Sequence, residues 1–192
     1  MAIKRYAKGT CAPSPVTSGE LDLMKKSVLF GEDDVAALRQ SAAILAGQEE
    51  DILNVWYGFV GSNPHLLNSF RSKSTGEPSG EYLAAVRGRF GQWIRDTAAA
   101  NYDDAWLAYQ HEIGRRHHRT GKNRTDGVDA TDHIEWRHLP LLIFPITYTL
   151  IPFLGKTGAS PEAVDRMYRA WLKSVLLQVT LWSHVYIREG DF

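Results

Sequence analysis

The apolar residues of this chain recur every three or four positions, which is the spacing of one face of an α-helix. Leu21, Met24 and Val28 predict a short first helix, and a second is predicted over residues 34–46. The pattern leaves open whether the second helix continues through Gly47 to Val60. No segment alternates with a period of two over a useful length, so the sequence predicts an all-α fold of about six to eight helices.

Further along the chain, two helix starts are marked by capping residues. Asp103 is a predicted cap, and the helix after it carries an inner stripe of Trp106, Tyr109, Ile113 and His117. Ser160 followed by Pro161 is typical of a helix start and precedes the longest apolar stripe. Polar, glycine-bearing segments at 71–80 and 121–132 predict loops, and a helix over 83–97 follows the first of them. The run 133–153 is apolar nearly all round, which predicts burial on most sides.

Composition narrows the class of protein. The 192 residues include 44% hydrophobic side chains, and 22 basic residues balance 22 acidic ones. This predicts one domain over residues 19–192 behind an irregular arm at 1–18, and it argues against disorder and nucleic-acid binding. The uncharged run 139–155 is too short for a membrane span, which needs ~20 residues. A single cysteine, Cys11, and the lack of an apolar leader favour a reducing, cytoplasmic location.

Two adjacent histidines differ in the direction they are expected to face. His117 lies four residues after Ile113 and eight after Tyr109, on the apolar stripe, whereas His118 falls on the polar side. A buried imidazole needs a hydrogen bond or a metal, because an unpartnered one costs ~1–3 kcal/mol. From this histidine alone, a core residue bonded to a backbone carbonyl is favoured over a metal ligand.

The remaining polar chemistry is weak. We expect His65, His133, His138 and His184 at the surface or at the rim of a site. A basic cluster indicates either a solvated helix end or attraction of ligand carboxylates, and it contains Arg115, Arg116, Arg119, Lys122 and Arg124. The sequence has no zinc-protease motif, phosphate-binding loop or nucleophile elbow.

Several long motifs resemble those of protoglobins, in order and with nearly fixed spacing from about residue 20 to 192. They include Asn54-Val-Trp56-Tyr57-Gly-Phe-Val-Gly-Ser-Asn-Pro-His65, Glu81-Tyr-Leu-Ala-Ala-Val-Arg-Gly-Arg-Phe90, and the segment from Asp104 through His117-His118 to Thr120. Phe144-Pro145-Ile-Thr147, Ile151-Pro152-Phe153-Leu154 and the tail around Gln178 and Trp182 agree as well.

The resemblance implies a globin fold with an extra N-terminal helix, a b-type haem and a homodimer formed through the last two long helices. It implies that His117 is the proximal iron ligand, Trp56 and Tyr57 a distal pair, and Phe90 a distal wall residue. Leu142 takes the place of a typical pocket aromatic. The cofactor contacts expected from these positions and from the inner stripe are His117, Trp56, Tyr57, Phe90, Leu142, Tyr109 and Ile113. Residues 136–140 depart from the family's usual arginine–tyrosine pair.

Three functions follow as hypotheses. The first is reversible binding of O2, CO or NO at a five-coordinate iron for sensing or scavenging, with Tyr57 donating a hydrogen bond that stabilises O2. In the alternative for Tyr57, its hydroxyl bonds a backbone carbonyl. The second function is a haem enzyme, either an NO dioxygenase or a peroxidase-like catalyst. The third is a haem-free helical interaction domain. A reductase or a signalling partner is compatible with the first two functions.

Overall fold

The computed structural model describes residues 10–192, and the first nine residues of the predicted N-terminal arm lie outside this range. Within it the chain is all-α, as predicted, with nine α-helices, one three-residue 3-10 turn and two isolated β-bridges. Two single-turn helices, Pro64–Leu67 and His138–Leu141, raise the number above the predicted six to eight. The helices are α1 (Ser18–Ser27), α2 (Glu32–Leu45), α3 (Glu49–Gly61), α4 (Pro64–Leu67), α5 (Gly80–Ala99), α6 (Asp104–His117), α7 (His138–Leu141), α8 (Ile143–Leu154) and α9 (Pro161–Ser183), with the 3-10 turn at Asn68–Phe70.

Side-chain caps fix the start of several helices. Asp103 Oδ1 accepts a hydrogen bond from the Trp106 N–H at 2.7 Å, and Ser160 caps α9. Thr17 and Glu20 form a reciprocal capping box at α1. These contacts satisfy backbone donors that the first turn of a helix leaves without partners, so the predicted starts of α6 and α9 are confirmed.

The segment between α2 and α3 is a break rather than a continuous helix. α2 ends at Leu45, and Gly47 adopts a φ of 79°, in the left-handed region that favours glycine. The chain then resumes as α3 at Glu49. The single glycine therefore separates two helices that the apolar spacing alone could not distinguish.

Helix α9 is the centre of the packing. It lies against α2, α6 and α8, while α3 packs on α5 and α8. Met167, Trp171 and Val175 of α9 are fully buried, and the Trp171 indole N–H donates to Ser41 Oγ of α2 at 2.8 Å. Burying each such side chain contributes about 1.5–3 kcal/mol, so the α9 stripe stabilises the whole bundle.

The run 133–153 differs from its prediction of burial on most sides. Residues 133–137 are not helical, and an apolar ridge formed by Leu141, Phe144 and Tyr148 is exposed at 71%, 61% and 58%. The opposite face of α8, with Thr147 and Leu150, is buried. The run is apolar all round because its outer face also carries large apolar side chains, so hydropathy could not show which face meets solvent.

None of the helices in the described part of the chain combines the length and apolar character that crossing a membrane requires.

Candidate functional site

An apolar cavity of about 200 Å³ lies among α3, α5, α6, α8 and α9. This volume is the space open to the centre of a water molecule, and one water needs only about 10–15 Å³ of it. The sequence-predicted residues Trp56, Tyr57, Phe90, Ile113, His117 and Leu142 all line this cavity. Tyr109 is fully buried in the core and is not among the lining residues, so its contact with a cofactor stays a prediction.

Most of the cavity wall is aliphatic or aromatic. Further lining residues of this kind are Val60, Leu66, Phe70, Val86, Trp93, Ile134, Leu139, Ile146, Val175, Val179 and Trp182. At about 24 cal/mol per Å³, an unfilled cavity of this size would cost on the order of 5 kcal/mol. That cost approaches the whole stability of many domains, so the cavity is suited to a large apolar ligand.

His117 is the last residue of α6 and lines the cavity. Its Nδ1 lies 2.8 Å from the backbone carbonyl of Ile113, one turn earlier. The tautomer with the proton on Nδ1 donates to this carbonyl and leaves the Nε2 lone pair available to a metal. Burial lowers the pKa of His117, which favours the neutral imidazole that a metal ion binds.

One face of the His117 imidazole is covered by the indole of Trp182. The rings of His117 and Trp182 stack with centroids 5.3 Å apart and planes inclined by 11°. Trp182 in turn donates its indole N–H to Gln110 Oε1 at 2.9 Å. α6 and α9 approach closely here, because a Cβ on Gly114 would lie 2.9 Å from the Trp182 Cα.

His118 lies outside the cavity. Its ring packs edge-on against His133 and Tyr186, at centroid distances of 5.1 and 5.0 Å. Its Nδ1 lies 3.1 Å from Thr120 Oγ1. Of the two adjacent histidines, the one on the apolar stripe therefore lines the cavity.

The wall contributed by α3 and α5 is an aromatic cluster. The Phe90 ring packs edge-on against Trp56 and Tyr57, with ring centroids 5.8 and 6.4 Å apart. The ring centroids of Phe90 and Trp93 are 5.2 Å apart. Phe70 contacts Tyr57 from the 3-10 turn. Interlocked rings of this kind hold their positions and exclude water.

The Tyr57 hydroxyl makes no hydrogen bond to any described residue, so the alternative in which it bonds a backbone carbonyl is not supported. Burial raises the pKa of Tyr57, and the phenol therefore remains protonated. The Arg87 guanidinium lies 5.7 Å from the centre of the Tyr57 ring, on the side of Glu50 and Asn54. Tyr57 is thus a protonated donor in the cavity wall.

Sequence reasoning missed three polar residues of the cavity lining, Ser69, Arg89 and His138. His138, which was expected at the surface or at the rim of a site, is half-buried and lines the cavity from α7. Its spacing of four residues before Leu142 is the signal that could have placed it there. Arg89 likewise lies between Val86 and Trp93 at helical spacing.

Arg89 is held by a buried ion pair. Its guanidinium makes two hydrogen bonds to Asp126, at 2.9 and 2.7 Å, with only 9% and 13% of the two side chains exposed. Asp126 belongs to the α6–α7 loop (residues 118–137), so the pair attaches this loop to α5. A bidentate pair of this geometry orients both groups.

The basic cluster of the sequence is divided in the structure. Arg115 and Arg116 pair with Glu112 on their own helix. Lys122 is only 4% exposed, and its ammonium donates to the carbonyls of Ser69 and Thr131. Burial lowers the pKa of Lys122 to about 8. Lys122 is therefore an internal tie between the loop and the 3-10 turn rather than part of a solvated patch.

The metal-ligating side chains of the cavity suit the iron of a haem rather than a free metal ion. Among residues 10–192 no group of three or more His, Cys, Asp or Glu side chains could hold a metal. One imidazole nitrogen on an apolar, ring-lined cavity is instead the arrangement that haem requires, because the porphyrin supplies the other four ligands. The apolar lining suits the faces of the macrocycle, and Ser69, Arg89 and His138 are further polar residues of the wall.

Comparison with known proteins agrees with this chemistry. The Protoglobin family model matches residues 17–192. The chain is similar in fold to the globin domain of the Geobacter sulfurreducens globin-coupled sensor, with a TM-score of 0.64 and 14% sequence identity. That likeness covers 87% of this chain and 97% of the other. No match is found among curated proteins. The chain therefore belongs to the protoglobin family and is a haem-binding globin.

Proposed function

We propose that the protein holds a b-type haem through His117 as the single protein ligand and binds a diatomic gas, O2, CO or NO, reversibly in sensing or scavenging. The observation that carries this proposal is the His117 imidazole, which has one nitrogen on the Ile113 carbonyl and the other available in an apolar cavity. When bound, the haem supplies an iron with an open position for the gas.

The remaining residues define the space around that position. Tyr57 offers a protonated hydroxyl to a polar ligand in the cavity, and the rings of Trp56 and Phe90 exclude water. Exclusion of water favours retention of ferrous iron and strengthens the single hydrogen bond from Tyr57, because no solvent competes for it. A small apolar gas can enter such a space without losing strong interactions with water.

A comparison of the two adjacent histidines tests the proposal. We expect His117→Ala to abolish tight haem binding, because it removes the protein ligand, while His118→Ala keeps the wild-type spectrum. The measurement is the visible spectrum of the reduced protein with and without CO. A colourless wild-type protein after expression with ample haem would contradict the proposal, and so would a silent His117→Ala with a damaging His118→Ala.

We also propose a homodimer formed through α8 and α9, the last two long helices. The apolar ridge of Leu141, Phe144 and Tyr148 supports it, because three large side chains at helical spacing stay in contact with water in a single chain. Phe144 and Tyr148 stack with their ring centroids 5.3 Å apart. Leu176 of α9 is also exposed, at 37%. A second copy of the chain that covered this face would remove the free-energy cost of leaving the apolar ridge in contact with water.

A haem enzyme, with NO dioxygenase or peroxidase-like activity, is the second candidate, and His138 is the observation that favours it. Its Nε2 lies 3.5 Å from Glu135 Oε2, so a histidine with a nearby carboxylate lines the same cavity as His117. Such a pair can act as a general acid–base, an effect worth roughly 10²–10⁴ in rate.

Substitution of His138 tests this second function. If the pair is catalytic, His138→Leu lowers the hydrogen-peroxide-dependent oxidation of a phenolic dye at least about a hundredfold. His65→Leu is the matched control, since His65 lies beside His138 but is exposed. Equal rates of dye oxidation in wild type, His138→Leu and His65→Leu would contradict a catalytic role of His138 and favour reversible gas binding as the function. NO turnover by the oxygenated protein, supplied with electrons by a reductase, tests the dioxygenase form of this candidate.

A further inference from the structure

We infer that Trp182 is a positioning residue, which fixes the rotation of the His117 imidazole and thereby tunes the strength with which the iron holds its gas ligand. The inference rests on the proposed function, because it requires His117 to bind iron. It goes further by naming a residue of another helix, Trp182 of α9, that controls the orientation of His117.

The stacking geometry is the first argument. The indole of Trp182 lies nearly parallel to the imidazole, inclined by 11° with the ring centroids 5.3 Å apart. A ring that lies flat against another blocks rotation of that ring about its Cβ–Cγ bond. The hydrogen bond from Nδ1 to the Ile113 carbonyl fixes the remaining freedom of the imidazole. Indole and carbonyl together leave His117 with one orientation.

Gln110 holds the indole in its plane, and this is the second argument. The amide oxygen of Gln110 accepts the indole N–H at 2.9 Å, and both residues are buried. The orientation of the amide is fixed, because an indole N–H can only donate. The other end of the amide, Gln110 Nε2, has no hydrogen-bond partner among the described residues. A buried donor without a partner is unfavourable, so the hydrogen bond from Trp182 is the side-chain interaction through which Gln110 stabilises the core.

Gly114 is the third argument, because it admits Trp182 to this position. A Cβ at residue 114 would lie 2.9 Å from both the Cα and the carbonyl oxygen of Trp182. Both contacts are with backbone, so they could be relieved only by moving α9 away from α6. Glycine at this position therefore brings the indole within stacking distance of His117, one turn further along α6.

A second buried tryptophan of α9 allows the effect of stacking on His117 to be separated from the effect of core packing. Trp171, on the same helix, is also fully buried and donates its indole N–H, to Ser41 Oγ at 2.8 Å. It does not touch His117 and does not line the large cavity. Trp171 is therefore a control of the same residue type, also buried and hydrogen-bonded through its indole N–H, that neither stacks on His117 nor lines the cavity.

The experiment compares Trp182→Leu with Trp171→Leu in the haem-loaded protein. The readout is the iron–histidine stretching band in the resonance Raman spectrum of the ferrous protein, followed by the rate of CO release. In Trp182→Leu we expect the band to broaden and shift to lower frequency and CO to leave roughly tenfold faster, as when groups that orient a metal-bound histidine are lost. Trp171→Leu should lower stability but leave both readouts at the wild-type values.

Two milder variants keep the test decisive if Trp182→Leu does not fold. Trp182→Phe retains a flat ring and should restore most of the wild-type band, whereas Gln110→Leu releases the indole and should broaden the band. Equal bands in wild type, Gln110→Leu and Trp182→Phe would overturn the inference while leaving the haem proposal intact. A wild-type protein without any iron–histidine band would overturn the proposed function and this inference with it.

Discussion

At the scale of single residues, the polar chemistry of the cavity depends on a few side chains set in an apolar wall. His117 has one nitrogen on the Ile113 carbonyl, and Tyr57 has a protonated hydroxyl with no hydrogen bond to a described residue. Because water is excluded by the surrounding rings, each of these groups acts with little competition. Removal of one hydrogen-bonding atom should therefore change ligand kinetics measurably.

Tyr57→Phe removes only the hydroxyl and keeps the ring. We expect O2 release to become roughly five- to tenfold faster, because one hydrogen bond is worth about 1 kcal/mol or slightly more. CO release should change less, since CO is a weaker acceptor of hydrogen bonds. Stopped-flow displacement of O2 by CO measures the rate.

The control for this prediction is Tyr82→Phe. Tyr82 is also buried, with its pKa raised to about 12 by burial, but it does not line the cavity. O2 release should be the same in Tyr82→Phe and wild type. If Tyr57→Phe also released O2 at the wild-type rate, Tyr57 would have no role in stabilising the ligand.

Much of the site could be predicted at this scale, and the remainder shows what a linear pattern omits. Periodicity separated His117 from His118 because a helix places residues four apart on one face. The same rule could not show that the oxygens which hold the Lys122 ammonium come from Ser69 and Thr131, since these contacts connect loops distant in the chain. Contacts between segments distant in the chain were therefore the ones that the sequence pattern could not show.

At the scale of helices, starts were easier to predict than interruptions. Asp103 and Ser160 cap their helices through local hydrogen bonds that the sequence states directly. Interruptions depend on backbone conformation, as at Gly47, or on what covers a helix, as for the run 133–153. Close contacts between helices are also invisible in sequence, and Gly114 is the clearest case.

Gly114→Ala tests the contact between α6 and α9. The added methyl would meet the Trp182 backbone at 2.9 Å, so we expect a loss of about 1–3 kcal/mol in the free energy of unfolding. Urea unfolding at a fixed haem occupancy measures this change.

Gly58→Ala is the matched control for this substitution. A Cβ at Gly58, in the middle of α3, would meet nothing within 4 Å. Alanine is the better helix former there, so stability should rise by about 0.5–1 kcal/mol. Equal effects of the two substitutions would show that α6 and α9 tolerate a wider separation than the structure has.

At the scale of the whole molecule, the helical class and family followed from the sequence, whereas the surface did not. The motifs that resemble protoglobins carry several residues of the cavity lining, including Trp56, Tyr57, Phe90 and His117, and these positions are constrained by packing. Exposed faces carry weaker constraints, so the apolar ridge of Leu141, Phe144 and Tyr148 was recognised only from exposed area. The proposed dimer is therefore tested on this face.

Phe144→Lys places a charge in the middle of the apolar ridge. If the ridge is the dimer contact, we expect the variant to be a monomer, because an unpaired charge buried in an interface is strongly unfavourable. Light scattering coupled to size-exclusion chromatography gives the mass. Leu23→Lys on α1, where the leucine is 62% exposed, should leave the mass unchanged. A Phe144→Lys protein with the wild-type mass would place the dimer contact elsewhere or exclude it.

The ion pair between Arg89 and Asp126 connects the cavity wall to the α6–α7 loop at the surface of the molecule. One partner borders the cavity and the other belongs to a loop that reaches solvent, and the two are joined by a pair of short hydrogen bonds. A shift of the guanidinium toward or away from an occupant of the cavity would move the loop with it. A partner protein bound to the α6–α7 loop would then respond to whether the cavity is occupied, without entering the cavity itself.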